Sequence, residues 1–259
     1  MAVEFRHEGD VAVLTLSRPG ALNAITFELL AELESQVDAV RRAGAGACVL
    51  TGAGGAFCAG ADLRLVRDAV SGDATEALTP LVDGLHACVR ALRSLPVPTV
   101  AAIEGPAVGA GMGLALACDL HVMGRGSSLV PGYLRIGASP DGGVSWLLSR
   151  AVGSMRAGSI LLQGRPLCAD RCLGLGLADA VVGDGETLSA AVALAGRVAG
   201  APPRALVEMR ALTERAGANT LDEHLDLERS TVMSLWGGHD FREGVSAFLE
   251  KRRPSFTGD

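Results

Sequence analysis

Apolar residues fall into two kinds of pattern along this chain. The first is a short, mostly apolar run bounded by turn-forming residues, which is typical of a buried β-strand. Such runs predict strands at residues 11–16, 47–51, 99–103, 120–123 and 177–182.

The second pattern repeats every three or four residues, as on one face of an α-helix. Thr26 is a suitable N-cap residue, and the apolar stripe that follows it consists of Leu29, Leu30, Leu33, Val37 and Val40. This helix lies between two predicted strands. A strand, a helix and a second strand in succession imply parallel pairing of the two strands.

Similar patterns predict most of the remaining chain. Helices are expected at residues 81–95, 109–118, 144–151, 155–162, 169–175, 188–199, 203–216, 221–235 and 241–251. Residues 64–80 are expected to begin as a helix and give way to a mobile loop over a site, and 130–143 to be irregular because they are rich in glycine and proline. The result is an α/β core followed by a helical C-terminal region.

Composition and charge exclude several classes of protein. The chain has 259 residues, of which 49% are apolar and 20% charged, so one α/β domain with a sizeable core is possible. A net charge of −6 without any lysine- or arginine-rich block argues against a nucleic-acid partner. No long apolar segment is present to span a membrane or to act as a signal peptide, so we expect neither membrane insertion nor secretion.

The six cysteines have no Cys-x-x-Cys spacing, and four of them fall inside apolar segments. Reduced core thiols in a cytosolic protein are the interpretation that fits. A cytoplasmic location is therefore expected. No histidine lies in a recognised metal or nucleophile spacing, so we predict no metal site.

Two glycine-rich passages suggest the chemistry. Residues 52–63 follow the predicted strand 47–51, and glycines 105, 109, 111 and 113 follow the strand 99–103; each passage leads into a predicted helix. Backbone N–H groups at a helix start have no intrahelical partner and attract negative charge. If the two strands are neighbours, N–H groups from both passages converge on one oxygen atom and stabilise an enolate or oxyanion.

Two other interpretations of these passages remain open at this point. One is a nucleotide site, although neither the Gly-x-Gly-x-x-Gly spacing nor a P-loop with its lysine is present. The other is a purely structural turn that allows close helix packing.

Several segments, in this order along the chain, resemble the enoyl-CoA hydratase/isomerase family, also called the crotonase superfamily. They are Leu16-Ser-Arg-Pro with Ala21-Leu-Asn-Ala24, residues 57–63, residues 98–119, residues 137–143, residues 173–179 and residues 243–252. The resemblance implies a spiral of ββα turns in two layers, here residues 1–186, and a helical region for oligomerisation and site covering, residues 187–259. It also implies a homotrimer or a dimer of trimers.

The resemblance further implies an acyl-CoA thioester substrate, with coenzyme A as part of the substrate and no separate cofactor. By position, the N–H groups of Ala61 and Ala110 bind the thioester oxygen. The positions that contact coenzyme A are Ala24, Ala59, Ala61, Asp62, Leu63, Arg64, Phe248 and Lys251. Of these, Arg64 stands where many members place a lysine near the phosphates, and Phe248 and Lys251 match residues that reach a neighbouring subunit's coenzyme A. A solvated helix end is the alternative for Lys251.

The family's hydratases use two glutamates, and this chain has Gly113 and Tyr133 at those positions. Asp141 instead matches the acid of some isomerases of the family, including the oxepin-CoA type. One carboxylate suffices for a double-bond shift, because it removes a proton and returns it two carbons away. An apolar pocket raises such a carboxyl's pKa towards the working pH.

Alternatives to catalysis by Asp141 stay open. Pro140-Asp141-Gly142 is also ordinary turn chemistry, and Glu104 is a rival acid. Tyr133 either donates a hydrogen bond in the pocket or packs there, and Asp119 is expected to be structural. Besides a double-bond isomerase, the sequence allows another enzyme of the family (a hydratase, decarboxylase or thioester hydrolase) and a silent acyl-thioester-binding subunit.

Overall fold

The computed structural model describes all 259 residues, and its centre is a six-stranded sheet. Its strands are β1 (Val3–Glu8), β2 (Val11–Leu16), β3 (Ala47–Gly52), β4 (Thr99–Ile103), β6 (Leu120–Gly124) and β9 (Ala180–Val182), in that spatial order. β1 is antiparallel to β2, and every other neighbouring pair is parallel. The predicted strands and the parallel pairing of β2 with β3 are confirmed.

Both faces of the sheet are covered, which explains why its strands are apolar runs without polar alternation. In β3, Cys48 and Leu50 point to the larger core, whereas Ala47 and Val49 point to a smaller cluster on the other side. The larger core lies under α1 (Phe27–Ala43) and α3 (Ala74–Arg93). The smaller cluster lies under α8 (Thr187–Val198), which contributes Ala191 and Ala195.

A second, three-stranded sheet consists of β5 (Pro106–Val108), β7 (Ser128–Val130) and β8 (Leu167–Cys168). The sequence did not predict these strands, nor β1. The strands β5, β7 and β8 are two or three residues long, so no periodicity can develop in them. In β1 only Val3 is buried, so that strand has no apolar pattern. β9 is also shorter than the predicted strand 177–182.

The remaining helices follow the predicted order. They are α2 (Leu63–Ala69), α4 (Ala110–Leu116), α5 (Val144–Val152), α6 (Ser154–Gln163), α7 (Ala169–Gly174), α9 (Pro203–Arg215), α10 (Leu221–Trp236) and α11 (His239–Glu250). The helical C-terminal region is thus present. Its role in oligomerisation and the boundary at residue 187 stay predictions, and α8 packs directly on the sheet.

The expected mobile loop within residues 64–80 is wrong. α2 ends at Ala69, and α3 begins already at Ala74, where the Asp73 side chain accepts a hydrogen bond from the Glu76 N–H at 3.1 Å. Pro80 lies inside α3, although a proline there removes one helical hydrogen bond. The buried stripe further along α3 holds the helix in place, so Pro80 does not mark its start.

Helix α1 forms as predicted. Thr26 caps its N-terminus by accepting a hydrogen bond from the Leu29 N–H, and Gly44 ends it with a positive φ of 65°. All five stripe residues are buried. No helix in the structure has both the length and the apolar character needed to cross a membrane.

The α1 stripe provides a test of the core. Leu33 is fully buried, so Leu33→Ala should lower the free energy of unfolding by about 2–5 kcal/mol through lost burial and a residual cavity. Ser35 is exposed on the same helix, and Ser35→Ala should change it by less than about 0.5 kcal/mol. Urea denaturation at one fixed protein concentration measures both; equal losses would contradict this description of the core.

Candidate active site

The two glycine-rich passages meet beside the C-terminal ends of β3 and β4, which are parallel neighbours. A parallel bridge joins them: the Cys58 N–H donates to Pro106 O at 3.2 Å, and the Val108 N–H donates to Cys58 O at 2.9 Å. Cys58 is thereby paired with Ala107. Ala61 and Ala110 lie the same number of residues beyond this pair, and both line one cavity.

The Ala61 N–H is free because of a second parallel bridge, to Ile25. The Ile25 N–H donates to Gly60 O at 2.8 Å, and the Asp62 N–H donates to Ile25 O at 3.0 Å. In a parallel ladder the residue between these two groups points its own N–H to the opposite side. The Ala61 N–H accordingly donates to no acceptor in the protein.

The Ala110 N–H is free because Ala110 is the first residue of α4. Gly109 precedes it with φ 51° and ψ −117°, a conformation open only to glycine, which turns the chain from β5 into the helix. Gly60, with φ 84°, approaches closely: a Cβ there would lie 2.7 Å from Val108 O and 3.8 Å from Ala110 N. Ala110 itself does not have a positive φ, so alanine is tolerated at this position.

Ala61 and Ala110 both line a cavity of about 240 Å3. Its other walls are mostly apolar, from Leu63, Val108, Val130, Pro131, Ile136 and Ala138. Two side chains that the sequence analysis singled out also line it. They are Tyr133, in a 3₁₀ turn that follows β7, and Asp141, in the turn before α5. The Tyr133 hydroxyl donates to Asp141 Oδ1 at 3.1 Å, whereas Oδ2 accepts no hydrogen bond from the protein.

Burial controls the titration of this pair. It raises the pKa of Asp141 above its ordinary value, because the charged form is partly removed from water. The Tyr133 hydrogen bond and the nearby His86 oppose that shift by favouring the carboxylate. Burial, with the adjacent Asp141 carboxylate, raises the pKa of Tyr133 as well, so Tyr133 acts as a hydrogen-bond donor and not as a phenolate.

Helix α4 and the Asp141 turn are in direct contact at Gly113. A Cβ on Gly113 would lie only 2.6 Å from Gly142 O, a distance that real Cβ atoms essentially never show. Gly142 itself has a positive φ of 54°. The backbone of the turn therefore fills the space that a side chain at residue 113 would need.

With this geometry in view, comparison with known proteins gives the family. The sequence profile of the family described as "Enoyl-CoA hydratase/isomerase" matches residues 6–259. The chain belongs to this family. Enzymes of the family act on acyl-CoA thioesters, so the cavity with two free N–H groups is its candidate active site.

Individual relatives agree on the family and differ in the reaction they are named for. A protein of Escherichia coli named 1,2-epoxyphenylacetyl-CoA isomerase is 38% identical over 252 residues, which cover 97% of this chain and 96% of the relative. The crystal structure of an enoyl-CoA hydratase from Polaromonas sp. JS666 has a TM-score of 0.94 and 35% identity, and covers 99% of this chain and 100% of the other. An enoyl-CoA hydratase from Bacillus anthracis has a TM-score of 0.91 at 27% identity, with full coverage of both chains. The expected crotonase fold is confirmed.

The structure brings together six residues that the family resemblance singled out. Ala59, Ala61, Leu63, Ala110, Tyr133 and Asp141 all line the one cavity. Ala24 and Asp62 lie just outside it, where Arg18 holds both: its guanidinium donates to Ala24 O and pairs with Asp62 at 3.2 Å. Arg64, at the start of α2, is exposed.

Phe248 and Lys251 are not near this cavity in the same chain. Phe248 is 83% exposed on α11 and lines a separate apolar groove of about 480 Å3, with Phe241 and Phe256. Lys251 ends α11 in a left-handed conformation and is exposed. Contact with a neighbouring subunit's coenzyme A stays a prediction for both residues, because a single chain does not test it.

The rival acids have other partners. Glu104 Oε2 accepts hydrogen bonds from the Gly185 N–H at 3.0 Å and the Thr187 hydroxyl at 2.7 Å, so Glu104 fixes the start of α8. Asp119 Oδ2 accepts from the Thr99 N–H and hydroxyl, both at 2.7 Å, and its carboxylate pairs with Arg210 on α9. The structural role predicted for Asp119 is confirmed.

The cysteines add no further acid or base to the site. All six thiols are free and five are buried, and burial raises the pKa of Cys58 to about 12, so this thiol beside the cavity stays protonated. No group of three or more His, Cys, Asp or Glu side chains is arranged to hold a metal ion.

Sequence reasoning missed two residues that bear on the site. His86 of α3 is half-buried and next in sequence to Leu85, which packs against Gly142, and it lies near enough to Asp141 to favour the carboxylate. No spacing marks His86, because α3 reaches the Asp141 turn only through tertiary packing. Asn23 is fully buried between the passages and was noted only as part of a family motif.

The contact between α4 and the Asp141 turn can be tested by a matched pair of helix glycines. Gly113→Ala should destabilise the protein by about 1–3 kcal/mol, since the new methyl group collides with backbone that has to move. Gly158, on α6, has nothing within 4 Å of its Cβ position, so Gly158→Ala should be neutral or stabilise by up to about 1 kcal/mol. Denaturation midpoints measure both. An unchanged Gly113→Ala protein would show that the turn does not press against α4.

Proposed function

We propose that this protein is an acyl-CoA double-bond isomerase. In this proposal the N–H groups of Ala61 and Ala110 bind the thioester oxygen, and Asp141 moves the proton. The observation that carries the proposal is that Asp141 is the only acidic side chain lining the cavity that both N–H groups reach. Its pKa, raised by burial, suits a group that must both accept and donate a proton.

The reaction requires no other reagent. The Asp141 carboxylate takes a proton from the carbon that the thioester acidifies, and the electron pair moves into the conjugated system, so negative charge develops on the thioester oxygen. Each of the two N–H donors stabilises that charge by about 2.7–4 kcal/mol. The protonated Asp141 then returns the proton two carbons away, which shifts the double bond and regenerates the carboxylate. The thioester carbonyl, converted to an enolate in the first step, is re-formed when the proton returns.

Tyr133 keeps this carboxyl group in the position that the transfer needs. Its hydroxyl binds Oδ1, which leaves Oδ2 free towards the substrate. The hydrogen bond also favours the ionised form of Asp141, and therefore opposes the effect of burial on its pKa. Tyr133 thus acts through Asp141, and its raised pKa keeps the proton on its hydroxyl.

Two-glutamate hydration fits this site less well. The two corresponding positions hold Gly113 and Tyr133, and the space beside Gly113 is filled by Gly142 O. A carboxylate on α4 would have to displace the Asp141 turn. The name of the Escherichia coli relative, 1,2-epoxyphenylacetyl-CoA isomerase, supports an isomerase and suggests aryl-acetyl thioesters as substrates to test.

Hydration is the second candidate function, because the similar structures from Polaromonas sp. JS666 and Bacillus anthracis are named enoyl-CoA hydratases. It requires water activated by Asp141 alone. We further propose that the protein works in the cytoplasm as a homotrimer or dimer of trimers, in which Phe248 and Lys251 approach a neighbour's coenzyme A. Their exposure in the single chain agrees with that arrangement.

Isomerisation can be tested by mass spectrometry of trans-2- and 3-enoyl-CoA esters, including aryl-acetyl types, incubated with the protein in D₂O. We expect deuterium uptake and a moved double bond without added water. Asp141→Asn should lower the rate by about 10²- to 10⁴-fold, because the general base is lost. Asp170→Asn, an exposed aspartate on α7, is the matched control and should leave the rate unchanged.

Other outcomes of this experiment separate the alternatives. A gain of one water per substrate would favour hydration. Full activity of the Asp141→Asn protein would contradict the proposed base. Tight thioester binding without exchange of any carbon-bound proton would favour a silent binding subunit.

A further inference from the structure

Asn23 lies fully buried against the first glycine-rich passage, and its amide satisfies several backbone groups at once. Nδ2 donates to Ala53 O and Ala56 O, both at 2.8 Å, and lies 3.4 Å from Phe57 O. Oδ1 accepts from the Arg18 N–H at 2.8 Å. The NH2 group of the amide meets only carbonyl acceptors, and its oxygen meets an N–H donor. Only an asparagine in this orientation fits.

The passage is shaped around this side chain. A Cβ on Gly52 would lie 2.8 Å from Asn23 Nδ2 and closer still to Ala56 O and Phe57 O, so the glycine makes room for both the amide and the tight turn. Asn23 O also accepts from the Cys58 thiol at 3.2 Å. Asn23 therefore contacts the first glycine-rich passage from Ala53 to Cys58, the residue that pairs with Ala107.

The backbone conformation of Asn23 is unusual. Its φ is 56°, in the left-handed region that side chains other than asparagine, aspartate and glycine seldom occupy, and Leu22 before it has φ 50°. This double left-handed turn places Leu22 O to accept from the Ala59 N–H at 2.9 Å and leads directly to Ile25, which pairs with Gly60 and Asp62. Strain of this kind persists where surrounding contacts over-determine it, and it clusters at functional sites.

We propose that Asn23 is a positioning residue for the Ala61 oxyanion donor. Ile25 hydrogen-bonds to the residues on either side of Ala61. The two preceding residues of the turn, Leu22 and Asn23, hydrogen-bond to Ala59 and Cys58. The direction of the free Ala61 N–H therefore depends on the turn that Asn23 maintains. Asn23 does not touch the cavity, and it acts only through this backbone. The inference rests on the proposed role of the Ala61 N–H.

The test uses the carbonyl band of a bound substrate analogue. A saturated acyl-CoA with ¹³C at the thioester carbonyl cannot isomerise, and its infrared stretching frequency falls in proportion to the hydrogen bonding that its oxygen receives. In the wild-type protein the bound ester should show a clear downshift. Asn23→Asp keeps the shape but cannot donate to the three carbonyls, and Asn23→Gly tolerates the positive φ but lacks the amide. Each should reduce the downshift by about half or more, since one of two donors is displaced.

The same variants should lower kcat of the isomerisation by on the order of 10- to 100-fold, with a smaller change in KM. The reason is that a displaced donor weakens binding of the enolate more than binding of the thioester. Asn219 is the only other asparagine of the chain, and the same two substitutions there are the matched controls, with no change expected in frequency or kcat.

Each result decides between the two proposals. A wild-type protein that leaves the carbonyl frequency unshifted would remove the proposed oxyanion site itself. A normal wild-type downshift that Asn23→Gly and Asn23→Asp both retain would overturn the role of Asn23 and leave the proposed function intact. If neither variant folds at any temperature, Asn23 serves folding alone and the positioning role is also overturned.

Discussion

The short pairing of Cys58 with Ala107 is the contact on which the candidate site depends. Two parallel strands end side by side, and this bridge extends their pairing into the two glycine-rich passages. Because the pairing is in register, Ala61 and Ala110 arrive together, each with an N–H that has no partner in the protein fold. A strand end and a helix start thus each place an unpaired N–H group at this site, as the proposed binding of one thioester oxygen requires.

This arrangement carries a cost in stability. The site leaves two N–H groups unpaired, holds Gly109 and Asn23 in rarely populated backbone conformations and partly buries the carboxyl group of Asp141. The left-handed conformation of Asn23 opposes folding by an amount on the order of 1–3 kcal/mol, and partial burial of the charged Asp141 carboxylate opposes it further. The rigid support comes from the sheet, whose strands are buried on both faces, and from α4, which is buried along its whole length.

Much of this could be predicted from the sequence, and the exceptions have physical reasons. The strands β2 and β4 and the stripe of α1 were predicted residue by residue, because buried runs and helical periodicity are local signals. The family motifs singled out Ala61, Ala110, Tyr133 and Asp141, which line one cavity, and their roles stay predictions. The strands β5, β7 and β8 have too few residues for a pattern, and the helix expected from residue 81 begins already at Ala74 because tertiary packing stabilises α3 around Pro80. The hydrogen bond of Tyr133 to Asp141, the approach of His86 and the filled space at Gly113 are tertiary contacts that no single-sequence pattern encodes.

The pH dependence of kcat/KM for isomerisation tests most directly the claim that one buried carboxylate, tuned by Tyr133, is the base. Asp141 must be ionised to take the proton, so kcat/KM should rise with pH through one ionisation above the ordinary aspartate value of 3.8. The Tyr133 hydrogen bond lowers the pKa of Asp141, so its loss in Tyr133→Phe should move this limb to higher pH. A limb at the same pH in both proteins, or a rate that falls as pH rises through this range, would contradict the account.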